Sequence, residues 1–297
     1  MVEQLKLQPI IVLSNPAGGY NRRAGLQEID ALAKAHKLPH VKATTPQEIE
    51  QSLTALTAVA PEFLIVNGGD GTVDMVLRLL LNHNPFPKFP SLLLLKGGTT
   101  NMTHRDCAPN GKPHKVLRCF LETLGSRQHV TCRRPLQVSC SGYEDTPLYG
   151  FFLGTGAIAR IVRHVHEKKP QKASSYFLGE LLILLSTLIR LVLRKDLQKD
   201  KLLKPSILIR DGEKKEHIFL AVSALKNLVA GIKTLASEES IGLIFMAADR
   251  KPRWSVADDL VLETSEPWIL DGETFEAGRI FVKYAAPVTF VTSRRQR

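Results

Sequence analysis

Only four cysteines occur in the 297 residues, Cys107, Cys119, Cys132 and Cys140, with no CxxC pair and no zinc-ligand spacing to histidine. They read as reduced thiols of a cytoplasmic protein. No GxxxxGK[ST] phosphate loop and no GxSxG nucleophile turn is present. The N-terminus carries Glu3 and a brief apolar stretch at Ile10 to Leu13, without a basic leader or cleavage site, so no signal peptide is expected. Acidic residues are in deficit, 29 against 40 Lys and Arg, which calls for an acidic partner such as a nucleotide, nucleic acid or an anionic membrane. The imbalance is local: residues 160–204 hold 11 Lys or Arg against 4 Asp or Glu, whereas residues 1–130 hold 14 against 10.

Within that basic region lies the most apolar run, Tyr176 to Leu193. Glu180 and Arg190 interrupt it, and an arginine deep in a bilayer costs about 2.5–3.5 kcal/mol on insertion scales. The expectation is a long amphipathic helix packed on protein. Its flanks, Lys168, Lys169, Lys172, Arg194, Lys195, Lys199 and Lys201, suit a solvated charge run or peripheral contact with an anionic membrane surface.

What the chain does contain is organised around residues 63–81, FLIVNGGDGTVDMVLRLLL. Phe63 to Val66 are too few and too uniformly apolar for an amphipathic helix, so they predict a buried parallel strand. Beyond the Asn-Gly-Gly-Asp-Gly turn, Val73, Val76, Leu77, Leu80 and Leu81 recur at helical spacing. Asp70 or Thr72 then sits near a helix N-terminus, where free N–H groups favour an anion. Gly68, Gly69 and Gly71 permit positive φ and close approach to a ligand. Asp70 needs a cation or a proton to handle beside a phosphate, unless it only caps the helix.

Two further loops share this plan. Residues 7–13 predict a strand ending in Ser14-Asn15-Pro16-Ala17-Gly18-Gly19, followed by a helix with Arg22 and Arg23 near its start and running to about Ala35. This is either a ligand loop, with the Asn15 amide and an arginine meeting a phosphate, or a plain turn with exposed arginines. A short strand near His40 to Thr44 and a helix from Pro46 precede the central strand. Ser91 to Leu95 predicts a third strand, ending in Lys96-Gly97-Gly98-Thr99-Thr100-Asn101. Alternating strands and helices argue a parallel α/β sheet, whose ligands sit at the carboxyl ends of the strands.

A helix at His114 to Leu124 closes this half, and the pattern changes near Arg127 to Val130. Strands are expected at Val130 to Cys140, Leu148 to Leu153, Lys204 to Arg210, Glu216 to Ser223, Ile241 to Ala247, Trp254 to Glu263 and Arg279 to Tyr284. The length and the 44% apolar content fill two cores. We place a nucleotide-binding α/β domain at 1–128 and a largely antiparallel β domain at 129–297, with the last residues free to return to the first.

Some patterns carry less. Gly154-Thr-Gly156-Ala-Ile-Ala159 matches a loose dinucleotide pattern, but no βαβ unit follows. His164 and His166 are two apart and would not share a helix face. Asp-Gly-Glu occurs at 211–213 and 271–273, both compatible with hairpin turns. The second lies among Trp268, Ile269, Leu270 and Phe275, an apolar setting that raises a carboxylate's pKa, which makes Asp271 a base candidate.

With Asn15-Pro16 and its glycines, Gly68-Gly69-Asp70-Gly71-Thr72, Gly98-Thr99 with Asn101, and Asp271-Gly272-Glu273 in this order, nearly the whole chain resembles the diacylglycerol kinase catalytic-domain family, which includes sphingosine, ceramide and bacterial lipid kinases. The resemblance implies an NAD kinase/diacylglycerol kinase-like fold. An N-terminal Rossmann-like α/β domain binds ATP, an antiparallel β-sandwich-like domain follows, and a cleft lies between them. It implies ATP and Mg2+ as cofactors, with Asn15, Pro16, Gly18, Gly68 to Thr72, Gly98, Thr99, Asn101 and Glu273 at the nucleotide and Asp70 at the metal. The catalytic base that takes the proton of a lipid hydroxyl is Asp271 by likeness to bacterial soluble members, or Asp70 by likeness to sphingosine kinases.

The implied activity is an ATP-dependent lipid kinase, with a soluble acceptor such as NAD, or binding without catalysis, as alternatives. The implied partner is a lipid, with no nucleic acid and with a homodimer left open. Three places depart from the family pattern. Asp74-Met75 stands where Asn-Glu is usual, which moves the carboxylate about 100° round the helix. Asn101-Met102 replaces Asn-Asp, and Glu239-Ser240-Ile241-Gly242-Leu243 replaces the Asp-Gly-Leu linked to metal.

Overall fold

Continuous apolar runs ended by turns give parallel strands covered on both faces, and the first sheet is built this way. The computed structural model describes residues 9–98, 101–124, 128–167, 206–210, 213–226, 233–247 and 252–292. Strands β1 (Ile10–Ser14), β2 (His40–Lys42), β3 (Phe63–Gly68) and β4 (Ser91–Lys96) lie parallel in the order β2-β1-β3-β4. The sheet is extended by β17 (Val288–Val291), parallel to β4, and by β5 (Val130–Arg133), antiparallel to β17. Ile10, Val12, Phe63, Ile65, Leu93 and Leu95 take one face, against Ile29, Leu117 and Phe120 of helices α2 (Gln27–Ala35) and α6 (Pro113–Glu122). The intervening Ile11, Leu13, Leu64, Val66, Leu92 and Leu94 are also buried.

The chain divides into two units, Met1–Arg134 with Ala286–Arg297, and Pro135–Ala285. The chain therefore leaves the first unit at Arg134 rather than at 128. The single strand expected over Val130 to Cys140 is two, β5 and β6 (Leu136–Cys140), in different sheets. Pro135, which has no N–H to give a ladder, stands between them.

The expected helix to Ala35 is also two, α1 (Gly19–Ala24) and α2. Gly25 separates them at φ 75°, its N–H turned back onto the Asn21 carbonyl. The remaining helices of this unit are α3 (Pro46–Thr54), α4 (Asp70–His83) and the short α5 (His104–Cys107), of which the last was not expected.

The second unit is an antiparallel sheet of 11 strands. Its main path is β15 (Glu273–Phe275), β14 (Trp268–Leu270), β8 (Phe152–Gly156), β10 (Glu213–Ser223), β9 (Ser206–Arg210), β13 (Asp259–Thr264), β16 (Gly278–Tyr284), β6 and β7 (Leu148–Gly150). From β10 the sheet branches to β11 (Ile241–Ala247) and then β12 (Pro252–Ala257).

Strands β7 and β8 lie far apart along this path, yet only Phe151 separates them in the chain. The sheet therefore folds back on itself, with Phe151 as a buried corner. The strand expected over Leu148 to Leu153 breaks at this corner. The one expected over Trp254 to Glu263 breaks at Asp258 into β12 and β13, which pair with different neighbours.

Gly154-Thr155-Gly156 lies in β8 and leads into helix α7 (Ala157–Glu167). Strand β8 pairs antiparallel with β10 and β14, so the βαβ context of a dinucleotide site is absent there. The run at 176–193, its basic flanks from 168 to 201, and Asp211-Gly212 lie outside the described residues.

Candidate functional site

Three strands end level with one another. Ser14 pairs with Asn67, Asn67 with Leu95, and Gly68 with Lys96. The loops that follow therefore leave one edge of the sheet, where β2 and β4 diverge on either side of β1 and β3. Such a switch point is where open α/β sheets bind ligands.

The loops are packed directly on one another. A Cβ on Gly98 would press into the Gly69 Cα, one on Gly18 would stand 2.5 Å from the Gly97 carbonyl oxygen, and one on Gly97 would stand 2.8 Å from the Gly68 nitrogen. A Cβ on Gly68 would collide with the Thr72 side chain. Gly68, Gly69 and Gly71 do not take positive φ, so the expectation of left-handed backbone at these positions is corrected. What glycine provides at 18, 68, 69, 97 and 98 is room for close packing within and between the loops. Gly98→Ala is expected to cost about 1–3 kcal/mol or more, as overpacking against backbone does. A urea-unfolding midpoint equal to wild type would contradict this.

Side-chain amides complete the junction. Asn15, buried, donates through Nδ2 to Thr72 Oγ1 at 2.9 Å and accepts the Ala17 N–H at 2.9 Å, so its amide is spent within the loops. Pro16 and Gly18 lie in the same turn. Asn21 donates to the carbonyls of Asn15 (2.9 Å) and Asn67 (3.0 Å). Asn101, at φ 47°, closes the third loop by accepting the Gly98 N–H at 3.1 Å and donating to the Gly98 carbonyl at 3.0 Å. Thr99 lies outside the described residues.

Asp70 opens α4 with Gly69 as the capping position. Its two oxygens accept the backbone N–H groups of Met102 (2.9 Å) and Thr103 (3.0 Å), which holds the chain entering α5 against the start of α4. Asp70, Met102 and Thr103 are all buried. The helix start leaves the N–H groups of Asp70 and Gly71 without intrahelical partners, and Thr72, whose oxygen accepts from Asn15, keeps its hydroxyl proton to donate. These groups fit an anion. Asp74, the displaced carboxylate, is buried and paired with Arg78 at 2.8 Å on the same helix. Among the described residues no three His, Cys, Asp or Glu side chains gather as a metal site. Of the two carboxylates at this end of α4, Asp70 is engaged by backbone N–H groups and Asp74 by Arg78.

Residues that local pattern did not single out support this edge. Asp30 Oδ1 lies 3.0 Å from His40 Nδ1, His40 Nε2 lies 2.9 Å from Ser14 Oγ, and Asn67 Nδ2 donates to the same Oγ at 3.2 Å. Ser14 and Asn67 are fully buried at the ends of their strands. A polar residue as the last member of an apolar run was the available signal.

His104 is fully buried, with Nε2 3.0 Å from the Leu95 carbonyl. Burial lowers the pKa of both imidazoles below the ordinary 6.5, against the raising effect of Asp30 on His40 and of Asp70 on His104. Below 6.5 the unfolded chain takes up protons that the native protein refuses. Stability is thus complete above that value and declines as pH falls through the lowered folded values. We expect urea midpoints to fall between about pH 7 and about pH 5, with a shallower fall in His104→Gln. An unchanged slope in that variant would contradict the assignment.

In the second unit, Asp271 (φ 46°) and Gly272 (φ 95°) form the left-handed turn between β14 and β15. The Asp271 oxygens accept the N–H groups of Phe151 and Phe152, both at 2.9 Å, and its own N–H donates to the Phe152 carbonyl at 2.8 Å. It therefore grips the corner between β7 and β8, and a Cβ on Gly150 would stand 2.7 Å from its Oδ2. Glu273 begins β15, opposite Leu270, and buried Trp268 stacks on Phe275 with ring centroids 4.6 Å apart. Asp70 and Asp271, the two acids picked from sequence, thus share one geometry: each holds two consecutive backbone N–H groups.

Likeness to solved structures places the chain in the NAD kinase/diacylglycerol kinase fold. A candidate diacylglycerol kinase from Bacillus anthracis str. Sterne superposes with a TM-score of 0.66 at 17% identity, covering 98% of this chain and 99% of that one. A second structure of a candidate diacylglycerol kinase from that strain gives 0.64 at 16%, covering 99% of each chain. A structure described as a diacylglycerol kinase of the same strain gives 0.61 at 15%, covering 97% and 98%. No curated protein matches in sequence. Residues 9–131 match the family model of the diacylglycerol kinase catalytic domain.

Proposed function

We propose that the protein transfers the γ-phosphoryl group of ATP to the hydroxyl of a lipid of the diacylglycerol or sphingoid kind. The observation that carries this reading is the junction of three glycine loops around the open N–H end of α4, inside the stretch that matches the family. The Asp70 and Gly71 N–H groups and the Thr72 hydroxyl would bind phosphate oxygens, while Asn15, Asn21 and Asn101 keep the loops in register. Magnesium, when bound with the nucleotide, neutralises those oxygens. Asp271 would accept the proton of the lipid hydroxyl. The basic excess over 160–204 favours peripheral contact with an anionic membrane surface. Among the described residues no helix is long and apolar enough to cross a membrane.

The test is ADP release from ATP and magnesium with mixed micelles of diacylglycerol, monoacylglycerol, ceramide or sphingosine, beside a soluble arm with NAD. Release that depends on one lipid supports the reading and names the acceptor class. Release only with NAD would replace the acceptor. The engagement of both candidate acids in backbone hydrogen bonds favours a second reading, a nucleotide or lipid binder without turnover. Saturable ATP binding with no ADP release from any acceptor would select it.

A further inference from the structure

Among the described residues, Lys96 at the carboxyl end of β4 and Arg105 in α5 enter no ion pair. Lys96 is the last residue of β4, paired in register with Gly68, immediately before the Gly69-Asp70 start of α4. Its Nζ donates to Asn110 Oδ1 at 2.9 Å, a neutral partner. Arg105 is the second residue of α5, and its backbone position is set by the grip of Asp70 on Met102 and Thr103 just before it. His104, the residue before Arg105, lies with Nε2 3.0 Å from the carbonyl of Leu95, the residue before Lys96, so the start of α5 is held against the end of β4 and the two cations stand on neighbouring segments. Burial, and secondarily Arg105, lowers the Lys96 pKa below its ordinary 10.5. No ion pair among the described residues involves either of them, although Asp30, Asp74 and Glu266 all pair with cations elsewhere.

Two like charges on neighbouring segments, with no ion pair to either among the described residues, are an arrangement that an anion relieves. A compact ammonium and a planar guanidinium fork suit an anion with several oxygens, phosphate above all.

We propose that Lys96 and Arg105 form a phosphate-binding pair at the carboxyl end of β4. The proposal rests on the reading of this edge as a nucleotide site, and its first ligand is a phosphate of ATP. The phosphate of a phosphorylated lipid has the same chemistry, so the experiment treats the two sources separately.

Calorimetric ATP binding without lipid is measured for wild type, Lys96→Met, Arg105→Met and Lys96→Arg, beside sedimentation with phosphatidylcholine vesicles containing phosphatidic acid. Each methionine variant is expected to weaken ATP binding about tenfold, the loss of one charge-assisted contact, and to flatten its salt dependence. Lys96→Arg is expected to restore most of it, with urea midpoints near wild type throughout. Wild-type ATP binding that both methionine variants match would overturn the pair as a nucleotide contact. If wild type binds no ATP, the kinase reading fails by itself. The pair then stands only if the variants lose sedimentation with phosphatidic acid, and it falls if they sediment like wild type.

Discussion

Asp70→Ala is expected to abolish ADP release and to destabilise the first unit by about 3 kcal/mol, because two hydrogen bonds to a charged group, each worth about 1.5–3 kcal/mol, are lost together. Met102 and Thr103 are buried, and their N–H groups lose their acceptor once the carboxylate is gone. Freed at that point, the chain entering α5 no longer holds the Gly98 to Asn101 loop against Gly69, and the anion-binding edge loosens with it. Asp70→Asn keeps one acceptor and turns an amide NH2 toward the other N–H, so it should lose about half as much stability. Urea unfolding of the two variants beside wild type measures this. A metal ligand with no structural duty predicts the opposite, lost magnesium-dependent turnover with unchanged unfolding in both variants.

The second large effect is at Asp271. Asn tolerates the left-handed conformation that Asp271 adopts, so Asp271→Asn keeps the turn and removes the charge. If Asp271 takes the proton of the attacking hydroxyl, turnover falls by about 10²–10⁴, the usual contribution of a general base, while the ATP dissociation constant stays near wild type. The same substitution sets an NH2 against the Phe151 or Phe152 N–H and should cost about 1–3 kcal/mol of stability. The two roles separate in the pH profile of kcat. A base leaves a low, flat profile in the variant, whereas a residue that only grips the corner at Phe151 leaves the profile's shape intact and lowers its height in proportion to the folded fraction. Turnover equal to wild type would remove Asp271 from the chemistry altogether.

These two acids show where local pattern stops. Gly-Gly-Asp-Gly after an apolar run marks a strand, a turn and a helix start, and all three are found at Phe63–Gly68 and Asp70–His83. Asp-Gly between apolar runs marks a hairpin, and β14 and β15 form it. What each carboxylate touches was not legible, because the partners lie 32 and 33 residues away for Asp70 and 119 and 120 away for Asp271. The same limit explains the strand breaks at Pro135, Phe151 and Asp258. Apolar residues resume on the far side of each of them, and the choice of neighbouring strand shows that the chain has changed partner.

Sequence alone determined the parallel α/β character of the first half, with three polar, glycine-bearing loops at strand ends, since uniform apolar runs and turn residues act over a few residues. It also determined the β-rich character of the second half. Tertiary structure decided the rest. It used glycine at 18, 68, 69, 97 and 98 as packing space within and between the loops, because a Cβ there would meet a neighbouring loop or the Thr72 side chain. It buried Asp74 against Arg78 and, among the described residues, left Lys96 and Arg105 in no ion pair, because charge balance depends on which residues the fold brings within a few ångströms of one another.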